Sequence, residues 1–221
     1  MNCEPPKIDN IIWLIGNKGM LGMEVELLLK QKGLAYVATD QEVDITNLER
    51  LLCFAEDKPI KWIVNCAAYT AVDKAEDEPE LAFKINAEGP KNIAEIAREK
   101  NAKLIHISTD YVFDGKKEGA YNENDATNPI GVYGKSKHQG ECYIQNKLPE
   151  HFILRTAWLY GRHGNNFVKT MIRLFRERDG ISIVGDQHGS PTHAPDLAQA
   201  IVKIMQINSK AYGIYHFETF A

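Results

Sequence analysis

The chain has 221 residues, 44 % hydrophobic and 25 % charged, which suits one large soluble domain and excludes disorder, collagen and coiled coil. Twenty-six Lys and Arg against thirty Asp and Glu leave a net charge of −4, so the surface has no general attraction for nucleic acid or an anionic membrane. Apolar runs such as Ile11–Ile15 fall far short of the ~20 residues of a membrane helix.

The segment Met1–Pro6 has neither the basic flank nor the apolar stretch of a leader, and adjacent Pro5 and Pro6 predict a loose tail over 1–10. Ile11–Ile15 is an expected buried strand. Leu21, Val25, Leu28 and Leu29 share one face of a helix over Met20–Lys32, which Gly33 ends. Strand Ala35–Ala38, helix Leu48–Glu56 and strand Trp62–Cys66 follow, then a helix over Glu80–Lys100 that Pro90 is expected to kink. Strand Leu104–Ile107, helix Lys135–Asn146 and strand Phe152–Leu154 continue the alternation. Beyond Tyr160 the spacing predicts an amphipathic helix over Asn165–Arg178 with Phe167, Met171, Leu174 and Phe175 on one side. A strand Ile181–Val184, a helix capped by Asp196 and a last strand Gly213–Phe217 complete the order. Continuous apolar strands separated by amphipathic helices predict a doubly wound, parallel α/β sheet.

Cys3, Cys53, Cys66 and Cys142 form no CxxC pair, and seven histidines form no ligand-spaced cluster. No metal is expected, and a reduced, cytoplasmic setting fits best. Cys66, inside an apolar strand, reads as a small core residue.

Gly16-Asn17-Lys18-Gly19-Met20-Leu21-Gly22 joins the first strand to the first helix. Glycines there let backbone approach a pyrophosphate at a helix N-terminus. Such spacing alone equally describes a tight turn, but its place in the strand–helix order and Asp40 at the end of the second strand favour a dinucleotide site. Asp40, unless it is only a turn or capping residue, accepts ribose hydroxyls. No Arg or Lys immediately follows it to receive a 2′-phosphate, which favours NADH over NADPH without excluding either. Asp44 and Ile45 are placed near the adenine, and Ala67, Ala68, Tyr69 and Thr70 form a shelf beneath the cofactor.

Tyr133 and Lys137 lie four apart, on one helix face. An ammonium near a phenol lowers its pKa, and the phenol can protonate a carbonyl oxygen as hydride arrives at the carbon. Among nine tyrosines such a pair also arises by accident, as a solvated helix face. Thr109, in Ser108-Thr109-Asp110 after the fourth strand, can hold the same carbonyl, although a capped turn is the plain alternative.

These residues, with Asn65–Glu76, Ile85-Asn86-Ala87, Ser108–Gly115, Asn128-Pro129, Arg155–Gly161, Gly164–Phe167, Asp186-Gln187 and Gly189–Thr192, carry a resemblance over nearly all of Ile11–Phe217. The chain resembles the extended short-chain dehydrogenases/reductases and, within them, the dTDP-4-dehydrorhamnose reductase family. The resemblance implies reduction of a nucleotide-sugar C4 ketone, with Tyr133 as proton donor, Lys137 holding the nicotinamide ribose and Thr109 polarising the ketone. It assigns Gly16, Gly19, Met20 and Leu21 to the pyrophosphate and Asp40, Asp44 and Ile45 to the adenosine. Ala67, Ala68, Tyr69 and Thr70 become the shelf, and Thr109, Asp110 and Trp158 contact the deoxysugar; from the residues alone, Trp158 reads as a core aromatic. The expected division is a dinucleotide-binding and catalytic unit over 11–160 and a partial substrate lobe over 161–221. Family members run further, so the sugar pocket is expected to be open on one side. Competing readings are a non-catalytic nicotinamide-binding regulatory subunit, as in methionine adenosyltransferase, and another nucleotide-sugar reductase or epimerase. No oligomeric state follows from the sequence.

Overall fold

The computed structural model describes residues 10–219 apart from Val184, Asp186 and His188; the expected tail over 1–9 lies outside the described residues. In chain order the elements are β1 (Ile11–Ile15), α1 (Met20–Gln31), β2 (Tyr36–Thr39), α2 (Leu48–Ala55), β3 (Ile60–Asn65), α3 (Pro79–Phe83) and α4 (Gly89–Glu99). They continue with β4 (Lys103–Thr109), α5 (Val132–Lys147), β5 (His151–Thr156), β6 (Leu159–Tyr160), α6 (Phe167–Glu177), β7 (Thr192–His193), α7 (Ala194–Gln206) and β8 (Gly213–His216). Six strands form one sheet in the order β2-β1-β3-β4-β5-β8, every neighbouring pair parallel.

Alternate side chains of the strands feed two cores. Trp13, Ile15, Ile63, Leu104 and Ile153 face α2, α4 and α5, meeting Leu51, Ile93, Ile96 and Ile144. Leu14, Trp62, Val64, Ile105, Phe152 and Leu154 face α1 and α7, meeting Val25, Leu29, Leu197 and Ile201. Helices therefore cover both faces, as the continuous apolar strands require. The crossover through α1 lies on one face and that through α2 on the other, so β1 and β3 flank the point where the winding reverses. In sheets wound this way, ligands bind outside the carboxyl ends of the strands at that point.

Several boundaries differ from expectation for physical reasons. The expected single helix over Glu80–Lys100 is α3 and α4 with a π-helical turn, Lys84–Glu88, between them. Pro90 cannot donate to the carbonyl four residues back, so it stands in the first turn of a new helix, where no such bond is needed. Asp196 is not the cap of α7: His193 holds that place and Pro195 the first turn, with Asp196 in the acid-favouring first turn. Ile181, Ser182 and Ile183 are not a strand, and Val184 lies outside the described residues. β6 and β7 pair only with each other, as a short parallel ribbon.

α6 forms where the pattern places it, capped by Asn166, whose side chain accepts the Lys169 N–H at 3.1 Å. None of its residues is buried: Phe167 and Phe175 are exposed, and Met171 and Leu174 only partly covered. No helix among the described residues is long and apolar enough to cross a membrane.

Between α5 and β5 the core holds one ion pair. Arg155 donates from Nε to Glu141 Oε1 at 3.0 Å and from Nη2 to Oε2 at 2.7 Å, with both side chains buried. Burial alone would raise the Glu141 carboxyl, but His138 and this two-pronged contact hold it below the ordinary range. Glu141→Leu is expected to cost about 3–5 kcal/mol, because it leaves a buried guanidinium without its partner. The urea midpoint, at unchanged slope, measures the loss.

Candidate active site

The register of the sheet brings the candidate loops to one edge. Ile15 stands opposite Thr39 on β2 and Asn65 on β3, so Gly16, Asp40 and Cys66 leave the sheet at the same level. Gly16 takes φ +80°, the left-handed region, and donates its N–H to the Thr39 carbonyl at 2.7 Å. A Cβ on Gly16 would press on the backbone of Ala67, and one on Gly22 would strike the Gly16 carbonyl oxygen. The loop is thus folded tightly between α1 and the β3 terminus, with no room for side chains. Gly19 caps α1 without a side-chain acceptor, so the first-turn amides of the helix have no side-chain partner. Met20 faces Gly161 and Gly164, whereas Leu21 is buried in the core.

At the β2 end, Asp40 is partly buried and its N–H donates to Glu42 Oε1 at 2.8 Å. Glu42 also meets Lys18 of the glycine loop, Nζ to Oε2 at 3.3 Å. An ammonium therefore does stand near Asp40, arriving from the earlier loop rather than from the residues following β2. Asp44 opens a turn, its Oδ1 accepting the Thr46 N–H at 2.8 Å. Ile45 is a core residue, its side chain against Gly89 and its carbonyl bonded by Asn92 at 3.1 Å.

The shelf is fastened by two buried amides. Asn65 Oδ1 accepts the Ala67 N–H at 3.0 Å. Asn86, in the π-helical turn, accepts the Tyr69 N–H at 2.8 Å and donates to the Tyr69 carbonyl at 3.0 Å, so both backbone groups of one residue are held. Asn86 Nδ2 also donates to Ser136 Oγ at 3.1 Å, and Ser136 donates to the Tyr133 carbonyl at 2.7 Å. The shelf and the first turn of α5 are one hydrogen-bonded unit. Ala68 and Thr70 flank Tyr69, whose hydroxyl turns away to Glu78 at 2.8 Å. Asn86 carried no signal in the sequence beyond its place in a matched segment, because its role depends on the π-helical turn.

Thr109, Tyr133 and Lys137 meet across β4 and α5. Thr109 ends β4, its Oγ1 accepting the Tyr111 N–H at 3.2 Å and donating to Asp110 Oδ1 at 3.0 Å. Tyr133 lies in the first turn of α5, whose Val132 N–H is capped by Glu76 Oε1 at 2.7 Å. Its phenol is close enough to the Thr109 side chain to be shifted by it, and the Tyr111 ring stands edge-on to it, centroids 5.5 Å apart. Lys137 is buried and donates to the Ile107 carbonyl at 2.7 Å.

Their electrostatics differ from the expectation in one respect. Burial pushes the Tyr133 phenol up to about 12, and the neighbouring Thr109 side chain offsets this only in part; the ammonium of Lys137, turned towards β4, does not lower it. The phenol is therefore protonated over the whole physiological range, which is the form a proton donor needs. Burial likewise pushes the Lys137 ammonium down to about 8, against the opposing pull of Glu141. Asp110 is raised, chiefly by burial.

Trp158 follows β5 at φ +44°, a strained setting for a bulky side chain, and is 43 % exposed with its ring against Gly189. It is not the core aromatic that the residues alone suggest. A cavity of about 410 Å³, lined by Ile12, Leu34, Trp62 and Met205 among others, lies at the amino ends of the strands and contains none of these groups.

A glycine loop at the winding reversal and a tyrosine–lysine pair beside it define a dinucleotide-binding α/β protein equipped for proton transfer. The model of the RmlD substrate binding domain family matches residues 10–220, and the chain belongs to that family. It is 43 % identical to the dTDP-4-dehydrorhamnose reductase of Aggregatibacter actinomycetemcomitans, over 92 % of this chain and 71 % of the relative. Among solved structures, a dTDP-4-dehydrorhamnose reductase from Clostridium acetobutylicum superposes with a TM-score of 0.91 at 44 % identity, covering 96 % of this chain and 75 % of that one. The Bacillus anthracis dTDP-4-dehydrorhamnose reductase in complex with NADP gives the same TM-score at 42 % identity and the same coverage.

The raised Asp110 carboxyl has a stability consequence. Folding disfavours the charged form, so the penalty is absent below the unfolded carboxylate value of ~3.9 and complete once pH exceeds the folded value. Asp110→Asn is expected to raise Tm at neutral pH, with the gain vanishing near pH ~3. A gain that is equal at both values would exclude this origin.

Proposed function

We infer that the chain reduces the C4 keto group of dTDP-4-dehydro-6-deoxy-L-mannose, giving dTDP-L-rhamnose, with a reduced nicotinamide dinucleotide as partner. The observation that carries this reading is the convergence of Thr109, Tyr133 and Lys137 at one sheet edge beside the glycine loop.

The residues fit a dinucleotide. The side-chain-free cradle of Gly16 and Gly22 and the uncapped N-terminus of α1 suit a pyrophosphate, with Gly19, Met20 and Leu21 supplying backbone. Asp40 suits ribose hydroxyls, with Asp44 and Ile45 further along the adenosine side. Ala67, Ala68, Tyr69 and Thr70 provide a floor that Asn65 and Asn86 hold still. When bound, the nicotinamide supplies hydride. Asp40 favours NADH, and Lys18 beside Glu42 gives a 2′-phosphate a countercharge, so NADPH is also accepted.

The chain's own part is proton delivery. Thr109 holds the ketone oxygen in line with Tyr133, and the phenol passes its proton to that oxygen as negative charge develops there. Lys137 holds the nicotinamide ribose. Asp110 and Trp158, on either side of Thr109 along the strand ends, contact the sugar.

The test follows NADH and NADPH oxidation with the dTDP-keto-sugar. Tyr133→Phe is expected to lower kcat/KM by about 10²–10⁴ with the fold intact. Lys18→Ala is expected to raise KM for NADPH several-fold and leave NADH unaffected. Equal rates for wild type and Tyr133→Phe would refute the mechanism.

A further inference from the structure

Lys137 has a second neighbour that the reaction above does not use. His106 Nε2 lies 3.3 Å from Lys137 Nζ, and His106 Nδ1 lies 3.0 Å from Asn65 Nδ2. Asn65, His106 and Lys137 are all buried, and together they form a chain from the end of β3 through β4 to α5.

The direction of each bond in that chain is fixed by one backbone group. The Ala67 N–H can only donate, so the Asn65 side chain must present its oxygen to Ala67 at 3.0 Å. The Asn65 NH₂ then faces His106, and Nδ1 must accept. An imidazole that accepts at Nδ1 and is neutral carries its proton on Nε2, and that N–H points at Lys137 Nζ. An amine accepts such a bond; an ammonium has three donors and no lone pair, and meets the N–H donor to donor.

We propose that Asn65 and His106 are positioning residues for Lys137, the Asn65 amide fixing His106 as its Nε2–H tautomer and that N–H setting the pH at which Lys137 loses its charge. The other groups facing Lys137 act differently. Glu141, one turn along α5, favours the ammonium and is itself held ionised by Arg155. Cys66, just past the end of β3, is pushed up to about 12 by burial and stays neutral. Burial first, then the neighbouring Lys137 and His151, hold His106 well below its ordinary value, so the imidazole is neutral at physiological pH. The outcome is a lysine that gives up its proton at about 8, well below its ordinary value, beside an imidazole whose tautomer is pinned by the same amide that fastens the shelf.

The kinetic arm of the test rests on the reductase reading; the spectroscopic arm does not. In protein labelled with ¹⁵N-histidine and ¹³C-lysine, with His106 and Lys137 signals assigned by their loss in His106→Gln and Lys137→Met, long-range ¹H–¹⁵N spectra report the tautomer. The Cε signal of Lys137 reports its titration. Wild type is expected to show His106 protonated on Nε2 at neutral pH. In Asn65→Asp the carboxylate accepts from both Ala67 and Nδ1, which moves the proton to Nδ1 and leaves Nε2 to accept from the ammonium. The titration of Lys137, and with it the alkaline limb of kcat/KM, then moves up by about one pH unit, a tenfold change in its proton dissociation constant. His106→Leu, which takes the Nε2–H away from Lys137 Nζ, is expected to move both the same way should Asn65→Asp not fold. A wild-type imidazole protonated on Nδ1, or a Lys137 titration unchanged in a folded variant, overturns the proposal. A purely structural role would lower kcat without moving the limb.

Discussion

An ammonium buried between a sheet and a helix is the constraint on which the catalytic geometry depends. Burying a charge is costly unless polar partners meet it, and Lys137 finds the Ile107 carbonyl on β4 as its direct acceptor. That single bond fixes α5 against β4 at one level. Thr109 lies two residues further along the same strand, and Tyr133 one helical turn back along the same helix. The hydroxyl and the phenol therefore meet because the lysine has fixed the register between the two elements that carry them.

A second set of contacts makes the frame rigid. Asn65 and Asn86 each use both faces of the amide, and each joins a loop backbone to a group deeper in the protein. Asn86 reaches from the shelf through Ser136 to the backbone of Tyr133. Asn65 reaches from the shelf through His106 to Lys137. The shelf and α5 are thus tied together twice, once through Ser136 and once through His106.

The sequence made the sheet legible because the strands are continuous apolar runs, Ile11–Ile15 and Trp62–Val64 above all, and the helices carry one apolar face. The positions of the glycine loop, Asp40 and Thr109 were likewise legible at strand ends, that of Tyr133 in a first helical turn, and that of Lys137 four residues on, on the same helix face. What escaped depends on tertiary contact. The π-helical turn at Lys84–Glu88 comes from Pro90 and the packing of Asn86, neither of which has a periodic signature. Lys18 approaches Glu42 across a gap of 24 residues that only the β1–β2 pairing closes. The phenol of Tyr133 is governed by burial rather than by its lysine, because the ammonium turns to a carbonyl that no spacing rule could reveal.

The two regions of the chain are also held by different forces. From β1 to β5, α3 apart, and again in α7 and β8, each element contributes to one of the two cores, and hydrophobic burial supplies the stability. α6 contributes no buried residue; its helicity draws on the Asn166 cap and its own backbone, while Phe167 and Phe175 face outward. Trp158, at the margin of this region, holds a positive φ with its ring against Gly189 and its carbonyl accepting the Thr192 N–H at 3.3 Å. Thr109, Tyr133 and Lys137 are therefore fixed by the sheet and by α5 without help from α6. The outer region and this inner group are physically separable in the fold, and a change around α6 and Trp158 is free to alter the first while the geometry of the second stays intact.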